Sequence, residues 1–186
     1  ADAGVLLTDP KFAGADTLAT AFTLSQGIQK MGPFDLILCG MQTTDGDTGQ
    51  VGPGIAEFLH IPHVAYVGMI EPLGEGRIGL ESDMGDWIGR LETRCPCLLT
   101  VTKGVGEPRL PSFRRKLATK DWPVTIWSAA DLPAPSEQYY GLAGSPTQVE
   151  RIFPPQVNDE TFLWEGNPDT LAQKAYAKLA EFKLWG

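Results

Sequence analysis

The residues with the most chemistry in this sequence lie together at positions 40–50. Gly40-Met41-Gln42-Thr43-Thr44-Asp45-Gly46-Asp47-Thr48-Gly49-Gln50 holds three glycines, three threonines and two aspartates. It follows an unbroken apolar run, Leu36-Ile37-Leu38-Cys39, and leads into the helical spacing of Val51, Ile55, Phe58 and Leu59. In an open parallel sheet, ligands bind beyond the carboxyl ends of the strands. Backbone N–H groups at such a helix start can cradle a phosphate, with Gly40, Gly46 and Gly49 allowing close approach. Thr43, Thr44 and Thr48 add hydroxyl donors, and Asp45 or Asp47 could accept from ribose hydroxyls. A second helix start, Asp16-Thr17 with Thr20 one turn later, would lie on the same sheet edge and offer further donors. The competing reading is an ordinary turn-and-cap loop, because Thr, Asp and Gly favour turns in any case.

Other chemistry is less well supported. Asp45-x-Asp47-x-Gly49 starts like a calcium loop, but Ala56 stands where the bidentate Glu is required. Neither the GxGxxG nor the GKS/T phosphate fingerprint occurs. His60 and His63 flank Pro62 with no acidic ligand beside them, and Ser112 and Ser136 lack a nucleophile–base pattern, so no catalytic or metal-binding set is expected. Cys39, Cys95 and Cys97 are too few and wrongly spaced for a zinc site or a disulfide framework, which fits a reducing compartment.

The elements that must hold this loop can be read from spacing. Val5-Leu6-Leu7 is a short strand stopped by Asp9-Pro10. Asp16 caps a helix over about Thr17–Lys30, ended by Gly32-Pro33. Leu36–Cys39 has no alternation, which predicts a strand covered on both faces. A helix from Val51 ends near His60, and His63–Ile70 is the next strand. Strand, helix, strand, helix, strand predicts a parallel α/β sheet. The stretches around Arg77–Glu81 and Asp86–Leu91 alternate as an antiparallel hairpin about Met84-Gly85. Leu98–Thr102 and Val124–Trp127 read as further strands. From Asp131 the Pro-rich sequence predicts an extended arm (131–186) after an α/β domain (1–130), closing in a helix from about Pro168 to Lys183 with Leu171, Ala175, Leu179 and Phe182 on one face. The chain starts without Met beside an apolar run, as if inside a domain.

Charge narrows the partners. The formal net charge of −8 over 186 residues argues against nucleic acid and anionic membranes, and no apolar run is long enough for a membrane span. Residues 104–130 run against this trend, with Arg109, Arg114, Arg115, Lys116 and Lys120 but only two acids. The segment is either a solvated loop or a docking surface for an acidic partner.

Asp35–Gly40 followed by Asp45-Gly46-Asp47-Thr48-Gly49-Gln50-Val51-Gly52-Pro53 resembles the nucleotide loop of the electron transfer flavoprotein beta subunit. Phe12–Thr20 is similar to the helix start preceding it. Leu99–Lys103 with Glu107–Ser112 is similar to the stretch leading to that family's partner-recognition loop. The resemblance implies a Rossmann-like, adenine-nucleotide-binding fold and a heterodimer whose alpha subunit carries the redox-active FAD. In simple carriers the beta subunit holds AMP. In the electron-bifurcating branch, which the loop and the Thr17/Thr20 pair resemble more, it holds a second FAD that takes a hydride from NADH. The resemblance implies nucleotide contacts from Thr17, Thr20, Asp45, Asp47, Thr48, Gln50 and Val51. It makes Leu110, beside Arg114, Arg115 and Lys116, an anchor for an acyl-CoA dehydrogenase, and it wraps the arm around the alpha subunit. The compartment implied is the bacterial cytoplasm or, in a eukaryote, the mitochondrial matrix. Against the family pattern, Gly49 stands for Ala, Gly106 stands for Asn, and an N-terminal strand is missing. Two rival readings have the same loop serve a stand-alone adenine-nucleotide module, or the basic segment serve a docking scaffold.

Overall fold

Side-chain caps and apolar spacing set most element boundaries. The structure is a computed structural model that describes residues 2–134, 137–154 and 161–183; Pro135, Ser136 and Pro155 lie outside the described residues. Strand β1 (Val5–Leu7) ends at Asp9, whose carboxylate accepts from the N–H groups of Lys11 and Ala129. Helix α1 (Thr17–Met31) starts where the Asp16 carboxylate accepts from the N–H groups of Leu18 and Ala19 at 3.0 and 3.1 Å. It stops at Gly32, whose φ of 120° suits glycine. Strand β2 (Leu36–Gly40) leads through the glycine-rich loop into helix α2 (Val51–Leu59). Strand β3 (His63–Gly74) then opens a meander with β4 (Arg77–Asp83) and β5 (Ile88–Arg94), and β6 (Cys97–Val101) returns to the sheet.

The five-stranded sheet has the order β2-β6-β3-β4-β5, with β2, β6 and β3 parallel and β3, β4 and β5 antiparallel. The expected α/β architecture and hairpin are therefore present, but a single parallel sheet is not. β1 pairs instead with β7 (Thr125–Trp127) in a separate two-stranded parallel sheet. The expectation that β2 is covered on both faces also fails. Ile37 and Cys39 pack toward the helices, whereas Leu36 and Leu38 are 36% and 56% exposed on the other face. β2 lies at the edge of the sheet, so its unbroken apolar run marks one covered face and one open one.

The core beneath the loop is formed by Ala21 of α1, Ile55 and Ala56 of α2 and Leu98 of β6. A second cluster joins Val67, Leu80, Cys97 and Leu99, and burial first, then the neighbouring Cys95, pushes the Cys97 thiol up to about 11. Helix α3 (Phe113–Ala118) follows Ser112, whose hydroxyl accepts from the Arg115 N–H, and it buries none of its residues.

The chain divides into two compact units, 1–149 and 150–186. The first takes in residues 131–149, past the point where the composition turns Pro-rich, because Ala129, Leu132 and Tyr140 form a core cluster against Leu7, Phe12, Phe22 and Trp127. The second contains α4 (Pro168–Glu181), capped by Asn167, whose side chain accepts from the Thr170 N–H at 2.9 Å. The Lys178 ammonium stands over the Phe162 and Phe182 rings. Among the described residues no helix is long and apolar enough to cross a membrane.

Candidate nucleotide-binding site

Packing α1 against α2 brings their N-termini to one cleft of about 960 Å³. Asp16, Thr17 and Thr20 line one side; Thr43, Asp45, Gly46, Thr48, Gln50 and Val51 line the other. The two helix starts share this cleft but not a sheet edge: β1 before α1 pairs with β7, whereas β2 before α2 lies in the five-stranded sheet. Their chemistry differs. At α1 the Leu18 and Ala19 N–H groups are engaged by the Asp16 carboxylate, and the Thr17 hydroxyl donates to Gln50 Oε1 at 2.9 Å. At α2 the N-cap residue, Gln50, makes no side-chain capping hydrogen bond. An uncapped helix start carries free N–H groups and partial positive charge, which together favour a phosphate.

The acids complete the polarity of the cleft. A hydrogen bond from Thr43, then the Gly46 N–H at 2.7 Å, hold the Asp45 carboxyl below the usual carboxylate range. At neutral pH the cleft therefore has an anionic acceptor in Asp45 and a partly positive helix end at Val51. That division suits a ligand with hydroxyl or amino donors at one end and a phosphate at the other.

Four predicted residues stand outside the cleft lining, Thr44 among them. Gly40 ends β2, with nothing within 4 Å of its Cβ direction. Asp47 has a φ of 49° and accepts from the Gln42 side-chain amide, so it shapes the loop from within. Gly49 has a φ of 63° and turns the loop toward α2.

The sequence reading missed a third wall made of Pro146, Thr147 and Val149. Thr147 donates to Asp16 Oδ2 through both its N–H (3.1 Å) and its hydroxyl (2.8 Å). The buried Ser145 hydroxyl accepts from the Asp16 N–H at 2.8 Å. The only local signal was a Ser-Pro-Thr triplet, which reads as loop punctuation until its distant partner is known.

Burial pulls the Asp16 carboxyl upward, but hydrogen bonds from Ala19, Thr147 and Leu18 outweigh it and hold the group low. A depressed carboxylate adds stability that is complete above its unfolded value, about 3.9, and is lost as pH falls through the folded value. Melting temperatures between pH 6 and 3 should therefore fall less steeply in Asp16→Asn than in the unsubstituted protein. Parallel curves would remove Asp16 as the source.

The electron transfer flavoprotein domain model matches residues 1–132. The electron transfer flavoprotein subunit beta of Clostridium acetobutylicum is 40% identical over 97% of this chain and 69% of its own length. The chain belongs to the electron transfer flavoprotein beta-subunit family. Protein FixA of Azorhizobium caulinodans is 40% identical over 86% of the chain. The caffeyl-CoA reductase-Etf complex subunit CarD of Acetobacterium woodii is 42% identical over 83%. The chain spans 59% of the length of that FixA protein and 58% of CarD. The glycine-rich loop and the Asp16 helix start both fall inside the part matched to the family. So does the basic segment, where Arg114, Arg115 and Lys116 lie on α3 and Leu110 before it is 86% exposed.

Proposed function

We propose that this chain is the nucleotide-holding beta subunit of an electron transfer flavoprotein, working in the electron-bifurcating manner. The observation that carries the reading is the uncapped start of α2 facing a cleft that also holds Asp16, Thr17, Asp45 and Thr48. The ligand that suits this cleft is the adenosine-phosphate part of FAD. The Val51 and Gly52 N–H groups would meet the phosphates, Thr20, Thr43 and Thr48 would donate hydroxyls, and Asp45 would accept from ribose or adenine. A bound flavin would supply the hydride-accepting and one-electron redox chemistry. The protein's share is to fix the nucleotide's position and the charge around it.

In this reading the alpha subunit completes the carrier, residues 150–186 wrap it, and an acyl-CoA dehydrogenase docks at Leu110 with Arg114, Arg115 and Lys116. The bacterial organisms of the relatives support a bacterial cytoplasmic setting. AMP shares the adenosine-phosphate chemistry and is separated from FAD by experiment. The protein co-expressed with its alpha subunit is expected to release two FAD per heterodimer. One FAD with one AMP would make the cleft a structural AMP site. No adenine nucleotide beyond the alpha-subunit flavin would overturn the reading.

A further inference from the structure

Asp45-Gly46 is the one Asp-Gly pair in the sequence, and no Asn-Gly pair occurs. Both residues are exposed, in the turn between β2 and α2, and both line the cleft. A glycine after an aspartate has no side chain beside its N–H, so its nitrogen is open to the neighbouring carboxyl. The turn brings these groups together: the Gly46 N–H donates to Asp45 Oδ1 at 2.7 Å. A hydrogen bond from the Thr43 side chain holds the same carboxyl in place. A Cβ on Gly46 would meet only Thr43 Oγ1 at 3.8 Å, so little crowds the pair on that side.

Other aspartates of the fold are arranged differently. Within their own turns, Asp9, Asp16 and Asp83 accept from N–H groups two or three residues ahead, not from the next residue. Asp9 also precedes Pro10, which has no N–H to react. Asp47 accepts from the Gln42 side-chain amide and precedes Thr48, whose branched Cβ crowds the following nitrogen. Holding two reacting groups in contact is what makes a slow intramolecular reaction count, and Asp45 meets that condition with the least obstructed neighbour.

We propose that Asp45-Gly46 is a site of spontaneous covalent modification, where the chain closes to a succinimide and reopens as isoaspartate. In the first step the Gly46 nitrogen bonds to Asp45 Cγ. The nitrogen gives up its proton, the protonated carboxyl gives up its hydroxyl, and the two leave as one water. Water then adds back to the ring. Where it opens the Asp45 main-chain carbonyl, the old peptide bond breaks, the chain runs on through Cγ, and the former carbonyl becomes a free carboxylate. Neither oxidant nor cofactor takes part. The hydrogen bonds from Thr43 and Gly46 keep Asp45 ionised at neutral pH, so closure draws on a small protonated fraction and product builds up with age. The Asp47 N–H to Thr43 carbonyl bond at 3.2 Å closes the turn around this pair, and the new linkage adds one main-chain carbon inside it. That reshapes a wall of the cleft. The effect on ligand binding rests on the nucleotide-holding reading above; the modification itself does not.

The test incubates the purified heterodimer at neutral pH and physiological temperature. Isoaspartate is counted in the tryptic digest by labelled methyl transfer from S-adenosylmethionine, catalysed by a protein isoaspartyl methyltransferase. Electron-transfer fragmentation of the tryptic peptide 31–77, which also holds Asp35 and Asp47, locates it. Isoaspartate is expected at Asp45 ahead of both. It should form several-fold more slowly in Gly46→Ala, and not at this position in Asp45→Glu, whose longer side chain closes only a larger, less favoured ring. No isoaspartate at Asp45, or equal formation in a Gly46→Ala protein of normal melting temperature, would overturn the proposal. Nucleotide content is read on the same samples. The modified protein should retain several-fold less, and repair by the methyltransferase should restore rebinding; full nucleotide in the modified fraction would overturn the effect on the cleft. If the fresh protein holds no cleft nucleotide, the nucleotide-holding reading fails by itself, and the isoaspartate count still decides the modification.

Discussion

Gly52→Ala is expected to lower the melting temperature by up to about 12 °C and, on the proposed function, to empty the cleft of its nucleotide. A Cβ on Gly52 would stand 2.3 Å from Thr100 Cγ2 and 3.6 Å from Cys39 Cβ and Leu98 Cδ2. Thr100 is 2% exposed, and its Oγ1 accepts from the Tyr66 N–H. The threonine cannot turn away without releasing that bond, so α2 must lift from the sheet. Overpacking of this kind costs about 1–3 kcal/mol, and each kcal/mol moves the melting temperature by roughly 2–4 °C in a chain of this size. The better helix propensity of alanine returns at most about 1 kcal/mol. Because Gly52 lies in the first turn of α2, the same displacement moves the N–H groups that face the cleft. Gly106→Ala is the control, since it lies outside the cleft lining and its Cβ would meet nothing within 4 Å. Calorimetry of both variants with their nucleotide content decides the matter. A stable Gly52→Ala protein with full nucleotide would show that α2 tolerates the shift.

What the sequence made legible was local. Asp16, Gly32 and Pro33 bracket α1, and the apolar spacing from Val51 ends at His60, which adopts a φ of 54° as the C-cap of α2. The Met84-Gly85 turn closes its hairpin through a Met84 N–H to Trp87 carbonyl bond at 3.0 Å. What was illegible depends on partners far along the chain. β1 pairs with β7, and no local signal distinguishes that from pairing with β2. The run Leu36–Cys39 shows hydrophobicity but not which face is covered. Gly52 and Gly54 look like poor helix formers until the close approach of Thr100 and Ala21 explains them. The same holds for the cleft. Its Thr43–Val51 wall is contiguous in sequence, whereas Thr147 reaches Asp16 across 131 residues.

Leu110→Ala is expected, on the proposed docking, to weaken binding of the redox partner by about 30-fold while leaving nucleotide content and melting temperature unchanged. Leu110, Phe113 and Leu117 are 86%, 76% and 57% exposed, and α3 buries none of its residues. These side chains therefore do little for the fold of the chain. An apolar anchor at the centre of an interface costs about 2 kcal/mol or more when truncated, which is about 30-fold in affinity. The surrounding cations act differently. Arg114, Arg115 and Lys116 are exposed, and charges at the rim of an interface set the rate of encounter more than its final strength. Arg114→Glu should slow association with an acidic partner at low salt and lose its effect as salt screens the field, whereas the Leu110→Ala defect should persist at high salt. Stopped-flow reduction of the heterodimer by its dehydrogenase across a salt series separates the two. If Leu110→Ala is reduced at the normal rate with normal affinity at every salt concentration, the segment 104–130 is a solvated loop and the partner docks elsewhere.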